Sequence, residues 1–145
     1  MSGTVERIAV AAEESALPSA VGWVEVTAAG VVGDRYHDSR DLTLIEAEAL
    51  EGLSADDGVE LSHEESRRQV LTRGIRLNEL VEKRFRVGEV ECVGQEWCEP
   101  CNHLQSLTKP GVLRGLVHRG GLRADIVHPG RIAVGDSVVM VPGDG

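Results

Sequence analysis

At 145 residues and 15.6 kDa the chain has the length of one compact domain with a real core, and a single domain over residues 1–145 is expected. A net charge of −9 argues against nucleic acid and anionic membrane surfaces, which are held by excess Lys and Arg, and no apolar run nears the roughly 20 residues that cross a bilayer. The first residues, Met1 to Arg7, have neither the basic-then-apolar pattern of a secretory signal nor the look of a transit peptide, so a cytoplasmic location is expected.

Twenty valines against five isoleucines, with only Trp23, Tyr36, Phe85 and Trp97 aromatic, point to an aliphatic core built mainly from strands. In chain order, Glu6 to Ala11 reads as a first strand and Gly22 to Thr27 as a second, with Val24 and Val26 on one face. The run from Gly30 to His37 turns sharply at Gly33-Asp34 and leaves polar residues at a strand end. Asp41 to Ile45 forms a short strand feeding a helix from Glu46 to Leu53, and Gly52 marks where that helix should fail. Residues 54–62 form an acidic loop. Glu64 to Arg68 is a helical turn or a strand entry, Val70 to Thr72 a strand, and Leu77 to Val81 a helical turn.

Phe85 to Cys92 and Ile132 to Val139 echo one another, each placing a Val-Gly-acid turn between strand-like segments, so two similar hairpins are expected. A helix starting at Pro110 and a strand over Leu122 to Val127 lie between them. The fold class is mainly β, a barrel-like domain with a few short helices.

Charge is split along the chain. Residues 1–66 carry three basic and fifteen acidic side chains, net −12, and residues 67–145 carry twelve and nine, net +3. Thirteen of the fifteen cations are Arg, whose planar fork takes phosphate or carboxylate in a bidentate way, although GC-rich coding yields the same bias.

The most informative window is Trp97-Cys-Glu-Pro-Cys-Asn-His-Leu. A Cys-x-x-Cys pair serves zinc, a disulfide, or one thiolate tuned by its neighbour. Cys92, Cys98, Cys101 and His103 make up a zinc set in number, but no second ligand pair stands at finger spacing. A thioredoxin-like pair wants a βαβ context that the pattern lacks. Burial as a small hydrophobe suits Cys92 on its strand and suits Cys101 poorly, because Pro100, Asn102 and His103 surround it.

With those residues in place, the sequence resembles the MOSC domain family, named for the C-terminal domain of molybdenum cofactor sulfurase, in its small single-domain form. The resemblance rests on Gly30 to His37, Asp41 to Ile45, Arg67-Arg68 with Gly74 to Asn78, Phe85 to Val90, Cys98 to Leu104, Gly120 to Ala124 and Ile132 to Asp136, in family order over nearly the whole chain. It implies a MOSC-type β-barrel that binds molybdenum cofactor (Mo-pterin), with the Pro-Cys cysteine falling on Cys101 as molybdenum ligand or persulfide sulfur carrier. A thiolate suits both roles, as soft donor and as nucleophile. Cys98 would then resolve a persulfide or stand by.

An anionic cofactor makes Arg68, Arg119 and Arg123 candidates for its phosphate or pterin oxygens, with Gly120 and Gly121 allowing close backbone approach. Asp34, Arg35 and His37 match a family segment expected at the pocket mouth, though a turn held by Asp34 serves as well. His103 is placed to lower the Cys101 pKa or to bond locally. One departure is Gln69, where many relatives have Asn; it keeps the amide on a longer arm. As an enzyme, the chain would reduce N-hydroxylated compounds with a separate electron-transfer protein. As a carrier, it would accept sulfur from a pyridoxal-phosphate-dependent cysteine desulfurase. The alternative from another class is a zinc-stabilised or metal-free interaction module using Cys98 and Cys101.

Overall fold

The computed structural model describes residues 2–13, 17–35, 37–98 and 119–142. Eleven strands are present among them: β1 (Ser2–Val10), β2 (Ser19–Val21), β3 (Trp23–Thr27), β4 (Gly30–Val31), β5 (Asp41–Glu46), β6 (Val70–Arg73), β7 (Arg84–Val87), β8 (Val90–Trp97), β9 (Leu122–His128), β10 (Gly130–Ala133) and β11 (Ser137–Met140). Two helices, α1 (Ala47–Asp57) and α2 (His63–Ser66), lie between β5 and β6, with 3-10 turns at His37–Ser39 and Leu77–Leu80.

Seven strands close a barrel in the order β1, β6, β5, β9, β8, β7 and β11, with β11 returning to β1 through Ser2 opposite Val139 and Thr4 opposite Ser137. Every pairing around it is antiparallel except β5 with β6, where Leu44 lies opposite Val70; the α1–α2 crossover makes that parallel step possible. β2 extends the sheet beside β1, and β10, β3 and β4 form a second, three-stranded sheet. The mainly β expectation therefore holds, and the barrel is closed, with no open edge along its seven strands.

Period-two alternation sets the faces. On β7, Phe85 and Val87 are buried while Arg84 and Arg86 point out. On β5 and β9, Leu42, Leu44, Leu122 and Ala124 turn inward and meet Ile8, Val70, Phe85 and Cys92 in one cluster. Among the described residues the barrel interior is thus filled by side chains, as is common for a small barrel. Outside the barrel, α1 covers a smaller cluster of Ile45, Ala47, Ala49 and Leu71.

Two expectations are corrected. The helix after β5 does not fail at Gly52 but continues to Asp57, where Gly58 at φ 66 gives its N–H to the last carbonyls. The Arg119 guanidinium lies on Gly52, and a Cβ there would come within 2.6 Å of it, so the glycine makes room for a long-range contact. The 132–139 echo is not a hairpin. β7 and β8 do pair, Val87 with Val90, but β10 pairs with β3 whereas β11 pairs with β7 and β1. The second Val-Gly-acid turn instead carries the chain from the small sheet into the barrel. Gly135 (φ +94) and the Asp136 carboxylate, accepting from Ala133 N at 2.9 Å, shape it, and Val134 N and Gly135 N donate to Gly22 and Val5. The helix expected from Pro110 lies outside the described residues.

Candidate functional site

Of the residues singled out by sequence, Arg68, Cys98, Gly120, Gly121 and Arg123 gather where β5, β6, β8 and β9 meet. Arg68, just before β6, is the hub. Its Nε donates to Gly120 O at 2.8 Å and its Nη2 to Cys98 O at 3.2 Å, while Cys98 N donates to Gly121 O at 2.8 Å. One partly buried guanidinium thus fastens the end of β8 to the segment entering β9. Gly121, at φ +112, puts its bare Cα against β5: a Cβ would stand 2.1 Å from Leu44 O. The close approach is to the protein's own strand.

Cys98 is buried, and burial pushes its thiol pKa up; Arg68 and Arg123 pull it back part of the way, while Asp41 and Glu96 push with burial. The thiol therefore sits among four charges, two of each sign. Arg123 reaches Glu96 Oε1 at 3.2 Å and Asp41 Oδ2 at 3.6 Å across the outer faces of β8, β9 and β5. Cys92, in the barrel core, is pushed up to about 12 by burial first and by the charges of Glu91 and Asp125 next.

Arg119 lies apart from this group, paired with Asp56 at 3.3 Å and Asp57 at 3.0 Å at the end of α1. Asp34 is buried: Oδ1 accepts from Ala11 N and Oδ2 from Gln69 Nε2, both at 3.0 Å. The Gln69 Oε1 in turn accepts from Thr43 N at 2.9 Å, and Gln69 N donates to Thr43 Oγ1 at 3.0 Å. The longer amide arm spans β5 and the loop after Gly33, a bridge that fixes the backbone next to Arg68. Arg35 joins the same loop by donating its N–H to Ala11 O at 2.7 Å, and His37 opens the 3-10 turn before β5.

Sequence reasoning missed the Asp34–Gln69–Thr43 bridge and the Arg119–Gly52 contact. A glycine in mid-helix was the signal for the second. Cys101 and His103 lie outside the described residues, so zinc, molybdenum and persulfide roles for them stay at the level of sequence. Among the described residues, no group of three or more His, Cys, Asp or Glu side chains is placed to hold a metal ion, and no helix is long and apolar enough to cross a membrane.

A closed, side-chain-filled barrel with its polar junction on the outside defines a class of small β-barrel domains, and the comparisons name it. A MOSC domain family model matches residues 34–139, so the chain belongs to the MOSC domain family. The YuaD protein from Bacillus subtilis superposes with a TM-score of 0.85 over 99% of this chain and 98% of that one at 15% identity. YiiM from Geobacillus stearothermophilus (TM-score 0.76, 14% identity, 97% and 75% covered) and YiiM from Escherichia coli (0.75, 16%, 99% and 71%) share the fold. At such identities the likeness is one of fold. A comparison with curated proteins returned no match.

Proposed function

We propose that this MOSC domain binds molybdenum cofactor, with Cys101 as the soft donor and Arg68 and Arg123 as the cations that hold its anionic groups. The observation that carries the reading is the Arg68 junction, in which a guanidinium bonded to Gly120 O and Cys98 O and a second guanidinium, Arg123, both act on Cys98, the residue three positions ahead of Cys101 in sequence. The donor chemistry suits such a group, since a thiolate is a soft ligand and Arg pairs phosphate through two N–H bonds. Membership of the family, whose name comes from molybdenum cofactor sulfurase, supports it.

When bound, molybdenum supplies a centre for two-electron chemistry at an N–O bond. The chain's own residues then bind and orient. Arg68 keeps the two segments flanking residues 99–118 together, and Asp34 and Gln69 lock the backbone beside it. Arg119 stands apart at the end of α1, shared by Asp56 and Asp57. With no flavin or iron–sulfur motif in the sequence, electrons come from a separate protein. The reaction class is reduction of N-hydroxylated compounds, and a net charge of −9 suits a small anion at a local basic site better than nucleic acid or a membrane surface.

The test is metal and pterin analysis of protein purified from a host that makes the cofactor. Molybdenum and pterin near one per chain, lost in Cys101→Ser, are the expected result. Zinc in place of molybdenum overturns the reading in favour of the interaction module. Absence of both metals together with a persulfide formed on Cys101 by a pyridoxal-phosphate-dependent cysteine desulfurase and free cysteine overturns it in favour of the sulfur carrier.

A further inference from the structure

A cleft of about 530 Å3 opens on the outer side of the barrel between the β3–β4 turn and the β5–β9 pair, lined among the described residues by Ala28, Ala29, Arg40, Asp125 and Ile126. It is open to solvent along much of its length. Among the described lining residues, all but two side chains of opposite charge are apolar.

Arg40 is held at φ 66, a left-handed conformation that disfavours any residue with a Cβ, and it is pinned from both walls. Its N–H donates to Ala29 O at 2.8 Å and its carbonyl accepts from Ile126 N at 3.3 Å. The strained backbone thus serves to station this arginine between the two walls. Among the described residues its guanidinium makes no ion pair, not even with Asp125 across the same cleft. The neighbouring acid, Asp41, is otherwise engaged: Oδ1 accepts from Ser39 Oγ at 2.7 Å and Oδ2 faces Arg123 at 3.6 Å. Asp125 is steadied by Gln95, whose Nε2 donates to Oδ1 at 2.9 Å, leaving Oδ2 without a hydrogen bond to any described residue.

Two exposed, opposite charges line this open cleft without pairing with each other, so a molecule carrying the complementary pair bridges them. We propose that this cleft binds a small zwitterion, its carboxylate on Arg40 and its protonated amine on Asp125, with Ala28, Ala29 and Ile126 against its methylene chain. The Arg fork suits a carboxylate through two N–H bonds, and each solvent-exposed charge contact is worth a factor of up to about five in affinity. The proposal rests on these residues alone and stands independently of any cofactor near Cys98.

The test is titration of the 15N-labelled full chain with glycine, β-alanine and 4-aminobutyrate, and with propionate and propylammonium as single-charge controls, read by backbone amide shifts. The expected result is saturable shifts of Ala28, Ala29, Asp125 and Ile126 with at least one amino acid. Each control should bind about two- to fivefold more weakly, as should that amino acid to Arg40→Gln and Asp125→Asn. Arg76→Gln, on an exposed side chain outside the cleft, should leave binding unchanged. No shift with any amino acid overturns the proposal. Propionate binding as tightly as the amino acids, with Asp125→Asn silent, overturns it in favour of a simple anion site. Should Arg40→Gln fold poorly, Asp125→Asn alone decides between these outcomes.

Discussion

Glycine 121 carries more of the site than a residue without a side chain suggests. It combines φ +112 with a 2.1 Å approach of a virtual Cβ to Leu44 O, and its own carbonyl receives Cys98 N. Gly135 offers a contrast, with φ +94 but nothing within 4 Å of its virtual Cβ. Gly135→Ala should cost about 1 kcal/mol, the conformational penalty alone. Gly121→Ala must move strand backbone as well and should cost at least about 2 kcal/mol. Urea midpoints of the two variants measure the difference, and equal losses would show that the approach to Leu44 is not what Gly121 serves. The sequence made Arg68, Gly121 and Cys98 visible as members of a short motif set. It did not make the Asp34–Gln69 bond visible, because the partners stand 35 residues apart and meet once β6 is paired with β5 and β1.

Local periodicity was enough to place most elements. Strands β3, β5, β7 and β9 follow from alternation, and the β5-to-α1 junction follows from the switch to helical spacing. The helix end was misread because a glycine lowers helix propensity whether or not something rests on it. Two magnitudes decide what Gly52→Ala does. Alanine gains about 1 kcal/mol of helix propensity, and the new methyl displaces the tip of a flexible Arg119 chain, whose surface pairs with Asp56 and Asp57 are worth about 0.5 kcal/mol. Gly52→Ala should therefore be slightly stabilising by urea denaturation. In an Arg119→Ala background, where nothing is displaced, the gain should approach the full propensity difference. A loss in both backgrounds would mean that α1 itself cannot accept a side chain at position 52.

At the scale of the whole molecule, the buried His63 and Cys92 each contribute to the pH dependence of stability, with the Cys98 pKa raised by burial in the same direction as that of Cys92. Burial lowers the His63 pKa below its ordinary 6.5, opposed by backbone groups of Arg68 and Gln69 and by Glu64, with Arg7 adding to the lowering. The unfolded chain binds a proton there first, so the His63 contribution is complete above 6.5 and is lost as pH falls through that value towards the folded one. Cys92 does the reverse: with its thiol pushed up from 9.0 to about 12, its contribution is complete below 9.0 and is lost as pH rises from there. Urea unfolding against pH should show a plateau between these limits, with a gentler acid limb in His63→Leu and a gentler alkaline limb in Cys92→Val. Limbs unchanged in these variants would assign the pH dependence to other groups. By itself the sequence determined a mainly β domain with an aliphatic core and the set of residues that mark the family, because alternation, turn glycines and short motifs are local properties of the chain. Only the tertiary structure decided that the barrel closes through β1 and β11, that the two Val-Gly-acid turns have different uses, and which acids share Arg119 and Arg123. Those outcomes depend on strand register and on contacts between distant segments, and the opening charge split of −12 and +3 accordingly resolves into pairs that cross from one half to the other, Arg123 with Asp41 and Arg119 with Asp56 and Asp57.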